Sequence, residues 1–367
     1  MGKPSVRASE LAILLILFEI GSTTLFLQAP KAKQDAWLSM FLAAAGGLLL
    51  LALYLVIHKR DPDRDLFDLC KRYLGKYLGT LLGCVFACYF LYEASRNLRD
   101  LGELTVLTLL DRTPIAFIMF IALLVIANSA RYGLRGIALT CVALFPTLMV
   151  SYLILIVLIW NSGLIHVEFM FPLLENGIVP VAREAFPALV SFPFGQTVLF
   201  LVFFAYAKKD GAKEGKGLPK AIVRAYIFVA LFLIAINQIN ILVLGPVLAA
   251  NCTFPLLESV QLIHFNRPLR MDPLFTIVLF VGLGIKAVCF LAAAAMGGEK
   301  LIGFGFKKWI VVLGAVIYPL AFVSPNLSHH LWLGRVITVK FVSPIFQIAL
   351  PMLLFAVMLL RRKLKPA

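Results

Sequence analysis

The feature that most constrains this chain is the recurrence, from one end to the other, of apolar runs of about 18 residues or more. A run of that length crosses the hydrocarbon core of a bilayer as a helix, because a backbone without water must satisfy its own hydrogen bonds. Composition agrees. Of 367 residues, 61% are hydrophobic and 14% charged, whereas a water-facing surface takes roughly 25% charged residues. Most of the outer surface is therefore expected to face lipid. The first run follows Lys3 and Arg7 as a secretory leader would. Further spans follow it in place of a cleavage site and a soluble domain, so it is expected to be retained as a helix.

At about 20 residues per crossing, ten spans are predicted at about 11–28, 36–57, 78–110, 114–128, 134–160, 188–207, 221–244, 273–296, 309–323 and 342–360. An amphipathic stretch at 62–77 is expected at the membrane interface. The two long connections, 161–187 and 245–272, carry apolar and aromatic residues and are expected to hold short interfacial helices. The whole chain, 1–367, reads as a single polytopic membrane domain without a separate soluble part.

The formal net charge of +15 is explained by topology, not by nucleic acid. With the N-terminus cytoplasmic, the inner segments carry Lys3, Arg7, Lys59, Arg60, Arg64, Lys71, Arg72, Lys76, Arg131, Arg135, Lys208, Lys209, Lys213, Lys216, Lys220, Arg224, Lys300, Lys307, Lys308, Arg361, Arg362, Lys363 and Lys365. The outer segments carry Lys31, Lys33, Arg112, Arg183, Arg267, Arg270, Arg335 and Lys340. Twenty-three against eight sets the orientation by the positive-inside rule, with both termini cytoplasmic and an even number of spans. The six cysteines have neither metal nor disulfide spacing, and the adjacent His329 and His330 suit no zinc site. No phosphate loop, nucleophile elbow or HExxH motif occurs. Neither catalytic residues, metal nor cofactor is expected. Asn251-Cys252-Thr253 matches a glycosylation sequon, too short a pattern to carry weight.

Three features can carry chemistry. The first is a pair of interruptions, Phe18-Glu19-Ile20-Gly21-Ser22-Thr23-Thr24 in span one and Ser191-Phe192-Pro193-Phe194-Gly195-Gln196 in span six. Glycine loosens a helix and proline removes a backbone donor. Each alone is an ordinary kink, but matching interruptions five spans apart point to an inverted-repeat transporter and its mid-membrane site. The second is a charged stripe in span three. Glu93, Arg96, Arg99, Asp100 and Glu103 share an arc of roughly 120°, which should face protein or a water-filled cavity. Glu93–Arg96 and Arg99–Glu103 lie at pairing distance along the helix. This reads either as a structural ladder or as part of a solute or ion path. The third is Lys286, near the centre of span eight. A lysine there is costly unless paired, and it is a candidate replacement for a bound cation, with Glu19 as its partner. The candidate solute contacts are Gly21, Ser22, Thr23, Tyr92, Phe192, Phe194 and Gly195. The candidate ion or proton path is Glu19, Glu93, Arg96, Glu103 and Lys286.

Several of these residues resemble one known family. Glu19-Ile20-Gly21-Ser22, the span-three pattern Arg96…Arg99-Asp100…Glu103…Leu110…Thr113-Pro114 and Phe192-Pro193-Phe194-Gly195 resemble the B subunits of bacterial spore germinant receptors. These are the GerAB-type endospore germination permeases of the amino acid–polyamine–organocation superfamily. The resemblance covers essentially the whole chain. One departure is Gln196, where family members often carry an acidic residue. The resemblance implies an all-α, ten-helix, LeuT-like fold of five-plus-five inverted repeats, approximately 9–160 and 186–360, with interrupted first and sixth helices. It implies a nutrient germinant, often an amino acid, as ligand. It also implies an A-type membrane subunit and a C-type lipoprotein as partners, and the spore inner membrane or the cell membrane as location. A proton-coupled amino-acid permease is the alternative reading, and an enzyme has no motif to support it.

Overall fold

The computed structural model describes residues 5–208, 217–263 and 272–363. Lys3, Lys209, Lys213, Lys216, Lys365, Arg267 and Arg270 of the charge count lie outside these residues, as does part of the connection expected at 245–272. The apolar runs are helices, in which every backbone group in lipid finds its hydrogen-bond partner within the same segment. In chain order they are α1 (Ala8–Thr23), α2 (Ala36–Arg60), α3 (Leu66–Leu74), α4 (Lys76–Thr108), α5 (Ile115–Ala130) and α6 (Gly133–Asn161). The sixth crossing is composite. It runs through α7 (Ile178–Glu184), a π-helical turn (Ala185–Leu189), a break at Phe192-Pro193, a 3₁₀ stretch (Phe194–Leu199) and α8 (Phe200–Phe203). Then follow α9 (Gly217–Leu244), α10 (Pro246–Asn251), α11 (Pro255–Gln261), α12 (Asp272–Leu301), α13 (Phe306–Leu320), α14 (Leu327–Trp332) and α15 (Leu350–Lys363), with π-helical Leu333–Val342 between the last two.

Seven helical stretches among the described residues are long and apolar enough to cross a membrane unaided. The other three predicted spans are α1, α5 and α13, of 16, 16 and 15 residues. At 1.5 Å per residue each covers about 24 Å of a hydrocarbon core about 30 Å thick. The first is completed by the irregular segment 24–29. Short helices occupy the stretches where interfacial helices were expected: α3 before the third span, a 3₁₀ turn (Val167–Met170) after the fifth, and α10 and α11 after the seventh. Span ten begins at Leu327, about 15 residues earlier than predicted. Arg335 and Lys340 interrupt its apolar run, yet both sit within the helical stretch.

Packing places α12 at the centre, between α4 on one side and α1 on the other. Cys289, Phe290, Leu291 and the run Ala292–Ala295 along α12 are fully buried. On the periphery Leu49, Leu124, Val125, Leu153 and Val311 are more than half exposed. Side chains like these, repeated around a bundle, suit lipid and not water. This is a multi-pass membrane protein.

One end of the bundle gathers the beginning and end of the chain. Val6 N–H donates to Tyr206 O (2.9 Å) and Lys208 N–H to Val6 O (2.7 Å), a short parallel bridge. Lys300, at the end of α12, bridges Asp65 (Nζ–Oδ2 2.6 Å) and Asp68 at the start of α3. Lys71 Nζ in turn donates to Lys300 O (2.6 Å), and Arg361 Nη1 to Arg72 O (3.4 Å). At the opposite end Asp35 accepts from Leu174 N–H (3.1 Å), and His166 N–H donates to Leu242 O (2.9 Å). Tyr206 Oη donates to Asp65 Oδ2 (3.4 Å) and joins the two groups, so residue 6 and residue 361 lie at the same end of the bundle.

Candidate functional site

The first crossing is helical through Gly21, Ser22 and Thr23 and unwinds after them, at Thr24. Gly21 is there for a different reason. A Cβ on Gly21 would fall on the Gly282 carbonyl of α12, and a Cβ on Gly282 would lie 2.9 Å from Gly21 Cα. The pair of glycines lets α1 and α12 meet backbone to backbone, the use membrane helices make of small residues. In the sixth crossing the break falls where proline predicts it. Phe192 N–H still bonds Ala188 O (2.9 Å), Pro193 has no N–H to give, and Gln196 N–H resumes with a tighter bond to Pro193 O (3.1 Å).

Between the unwound end of the first crossing, the sixth-span break, α4 and the π-helical part of span ten lies a cavity of about 290 Å³. At its inner end are Ser22, Phe192, Glu93, Arg96, Asn97 and Gln196; Lys31, Glu184 and Lys340 lie on the side remote from the chain termini. A neighbouring hollow shares Lys31, Glu184, Ala188 and Lys340 and adds Arg183, so the two form a vestibule. Three of its lining residues carry buried polar atoms without partners. Arg96 Nη1, Asn97 Oδ1 and Gln196 Oε1 make no hydrogen bond, although buried polar groups are nearly always satisfied. Gln196 Nε2 donates to Glu93 Oε2 (3.3 Å). The Arg96 guanidinium occupies the space a Cβ at Gly334 would fill, so the glycine in span ten admits it. Asp100 on the cavity wall lies 2.8 Å from His330 Nε2. Arg335, also lining the cavity, stacks on Phe26 at 5.3 Å.

Of the residues expected to touch solute, Ser22 and Phe192 line this cavity. Tyr92 stands behind its wall, 2.7 Å from the hydroxyl of Thr338, which lines it. Four others are elsewhere. Gly21 faces α12. Thr23 bonds its own helix at Glu19 O (2.6 Å) and borders a separate crevice with Asn237 and Asn240. Phe194 is buried against Tyr226 (5.8 Å). Gly195 packs beneath Gln347, with Val190 O 2.8 Å from the position of a Cβ.

Of the expected ion path, Glu93 and Arg96 line the cavity. Glu103 does not; it is held by Arg99 in an ion pair (Nη2–Oε1 2.6 Å). The expected Glu93–Arg96 ion pair is replaced by the Glu93–Gln196 bond. Lys286 is fully buried and donates to Ser22 Oγ (2.9 Å) instead of bonding Glu19, whose two carboxylate oxygens are buried without partners. The residues that sequence reasoning passed over are Asn97, Gln196 as a solute contact, and all of span ten. Asn97 had a findable signal: it lies one turn from Glu93, about 40° beyond the edge of the charged arc.

Comparison with known proteins agrees with this architecture. A profile of the spore permease family, described as spore germination protein, matches residues 5–329. Spore germination protein KB of Bacillus subtilis is 30% identical over 371 residues, spanning 99% of this chain and 97% of that protein. Spore germination proteins YndE and A2 of the same organism are each 23% identical, over 98% and 90% of this chain and 97% and 88% of theirs. Among solved structures, Mhp1, a nucleobase-cation-symport-1 family transporter, in a closed conformation with bromovinylhydantoin bound, superposes with a TM-score of 0.64. The identity is 16%, over 94% of this chain and 78% of that one. Its inward-facing form gives 0.60 at 15% identity, over 92% and 72%. At such identities the likeness shows the fold.

Proposed function

Because the chain belongs to the spore permease family of spore germination proteins and has a transporter fold, we propose that it is the solute-sensing subunit of a spore germinant receptor and holds a small solute in the cavity described above. Neither the family nor the fold is that of an enzyme. The carrying observation is the set of buried, unpartnered atoms at one cavity: Arg96 Nη1, Asn97 Oδ1 and Gln196 Oε1. One donor and two acceptors await a ligand that brings the complements.

Charge narrows the class. Away from the vestibule residues Lys31, Glu184 and Lys340, the cavity lining carries Glu93 and Asp100 against Arg96 and Arg335, two against two. A balanced site favours a solute without net charge that still carries both signs, and a zwitterionic amino acid is such a solute. Its carboxylate would meet Arg96, and its ammonium Asn97 and Gln196, with Phe26, Phe192 and Leu189 beside its side chain. Solute would arrive through the vestibule of Lys31, Arg183 and Lys340, on the face opposite the termini. The excess of basic residues on the terminal side supports that side as cytoplasmic, the core side in a spore. In this reading the bilayer is the spore inner membrane or the cell membrane. An A-type membrane subunit and a C-type lipoprotein would read out the bound state.

The test is amino-acid binding to the purified chain in lipid nanodiscs, across the twenty common amino acids. Arg96→Gln removes a charge-assisted bond worth about 1.5–3 kcal/mol, so affinity should fall at least tenfold while folding is retained. Unchanged affinity removes Arg96 from the site. The transporter fold also favours an active, proton-coupled permease as a second reading. Accumulation of the bound amino acid in vesicles containing this chain alone would decide for it.

A further inference from the structure

The terminal end of the bundle carries a group of arginines that the solute cavity does not use. Three elements far apart in the chain bring them together: the end of α2, the short helix α3 and the end of α15. Arg361 Nη1 donates to the backbone carbonyl of Arg72 (3.4 Å), so two cationic residues of different elements touch. Arg60 lies over the ring of Phe355 of α15, at 4.9 Å. Beside it Asp61 Oδ2 stands 3.3 Å from Arg72 Nη1 and 3.4 Å from Arg64 Nε. Shared between the two, that oxygen makes a hydrogen bond to neither. Asp65 and Asp68 of this region are met by Lys300, with Lys71 on the Lys300 carbonyl. The guanidinium groups of Arg60, Arg64, Arg72 and Arg361 are left with the two carboxylates of the connecting loop, Asp61 and Asp63. The arginines are in excess.

Cations in the last turn of a helix complement its dipole, which accounts for each arginine singly and not for their meeting. Like charges brought together repel, and a shared anion relieves them. The surroundings say which anion. Val56, one turn before Arg60, and Leu360, next to Arg361, are apolar and exposed, so the hydrocarbon ends at the level of the arginines. That is the depth at which a phospholipid carries its phosphate. We propose that this group is a binding site for one anionic phospholipid of the leaflet on the terminal side. Its phosphate accepts from Arg60, Arg72 and Arg361, and its acyl chains lie along Val56 and Leu360. Arginine suits the task, because its planar fork donates two parallel N–H bonds to a phosphate. A lipid held there ties the end of span ten, whose other half walls the cavity, to α2 and α3. The inference concerns the membrane face of the fold and stands whether or not the solute reading does.

The experiment needs no solute. Thermal unfolding of the purified chain is followed in phosphatidylcholine nanodiscs into which phosphatidylglycerol is titrated, at about 0.15 M ionic strength to screen diffuse attraction. The wild-type midpoint should rise and saturate, as for a ligand that binds only the folded state. Arg60→Gln with Arg361→Gln should raise the half-saturating fraction of phosphatidylglycerol at least tenfold or remove the response, since charge-assisted bonds are lost. Lys307→Gln with Lys308→Gln removes the same charge from the same end, outside the group, and should shift it less than twofold. An unchanged wild-type midpoint overturns the proposal. So does a rise without saturation, or an equal effect of the two pairs, because the lipid would then answer only to net charge. The same rise on adding inorganic phosphate to pure phosphatidylcholine nanodiscs also overturns it, for the ligand would be the free anion. If the arginine pair fails to fold, the wild-type titration and the phosphate arm still decide.

Discussion

The Arg99–Glu103 pair offers a sharp test, because the sequence admits a functional reading of Glu103 and the structure a purely architectural one. Arg99 Nη2 and Nε lie 2.6 and 2.8 Å from the same oxygen, Glu103 Oε1. The two side chains are 7% and 12% exposed, and neither lines the cavity. At 2.6 Å and an effective dielectric constant of about 20, the attraction is on the order of 6 kcal/mol. Desolvation of both ions offsets most of it. Arg99→Met removes the attraction and keeps the burial of Glu103, so destabilisation should reach about 3–5 kcal/mol. Arg99→Met with Glu103→Leu fills the same space without charge and should return to within roughly 1 kcal/mol of wild type. Thermal unfolding of the four proteins in nanodiscs closes the cycle, and amino-acid binding to the same samples should change less than twofold throughout. The reasoning is refuted if the double variant is as unstable as Arg99→Met. It is equally refuted if either single variant loses solute affinity tenfold while remaining folded, because Glu103 would then belong to the path.

Two further outcomes follow from close contacts. Gly21→Ala puts a methyl group onto the Gly282 carbonyl and should lower stability by about 1–3 kcal/mol through overpacking; an unchanged unfolding midpoint would show that α1 and α12 do not meet so closely. Lys300→Met strands Asp65, whose carboxyl burial already pushes above its ordinary range even with Lys300 present. A carboxyl with a folded-state pKa above its unfolded value contributes stability below the unfolded value and loses it as pH rises through the folded one. The Lys300→Met variant should therefore lose more stability relative to wild type at pH 8 than at pH 5, and a pH-independent difference would count against Asp65 as the stranded group.

Much of the architecture is legible in the sequence, because a span has to be about 20 apolar residues whatever its neighbours are. Pro193 marks the sixth-span break for an equally local reason: it has no N–H to give. The first-span break is less legible. Gly21 attracts notice, but its missing side chain serves a neighbouring helix 261 positions away (Gly282), and the unwinding starts at Thr24 with no residue to announce it. Span ten hides its first half because Arg335 and Lys340 lower the local apolar content, while the helix needs only one protected face. The charged arc of α4 shows from periodicity that it must face protein. Which carboxylate meets which cation does not show, since His330, the partner of Asp100, lies 230 residues further on. Periodicity describes one helix at a time, and the cavity is made by four segments.

The bridge between residue 6 and the end of the sixth crossing deserves a last thought in terms of mutational tolerance. Its two bonds run from the Val6 and Lys208 amides to the Tyr206 and Val6 carbonyls, so the seam is written in peptide groups and not in side chains. Replacements that keep a small apolar side chain at the buried position 6 should leave it intact. Proline at 6 or 208 is the exception, for each would delete one of the two donors. The hydrogen bonds of the seam therefore ask only for a donor at residues 6 and 208, while the fully buried side chain of Val6 adds a separate demand for an apolar residue of its size.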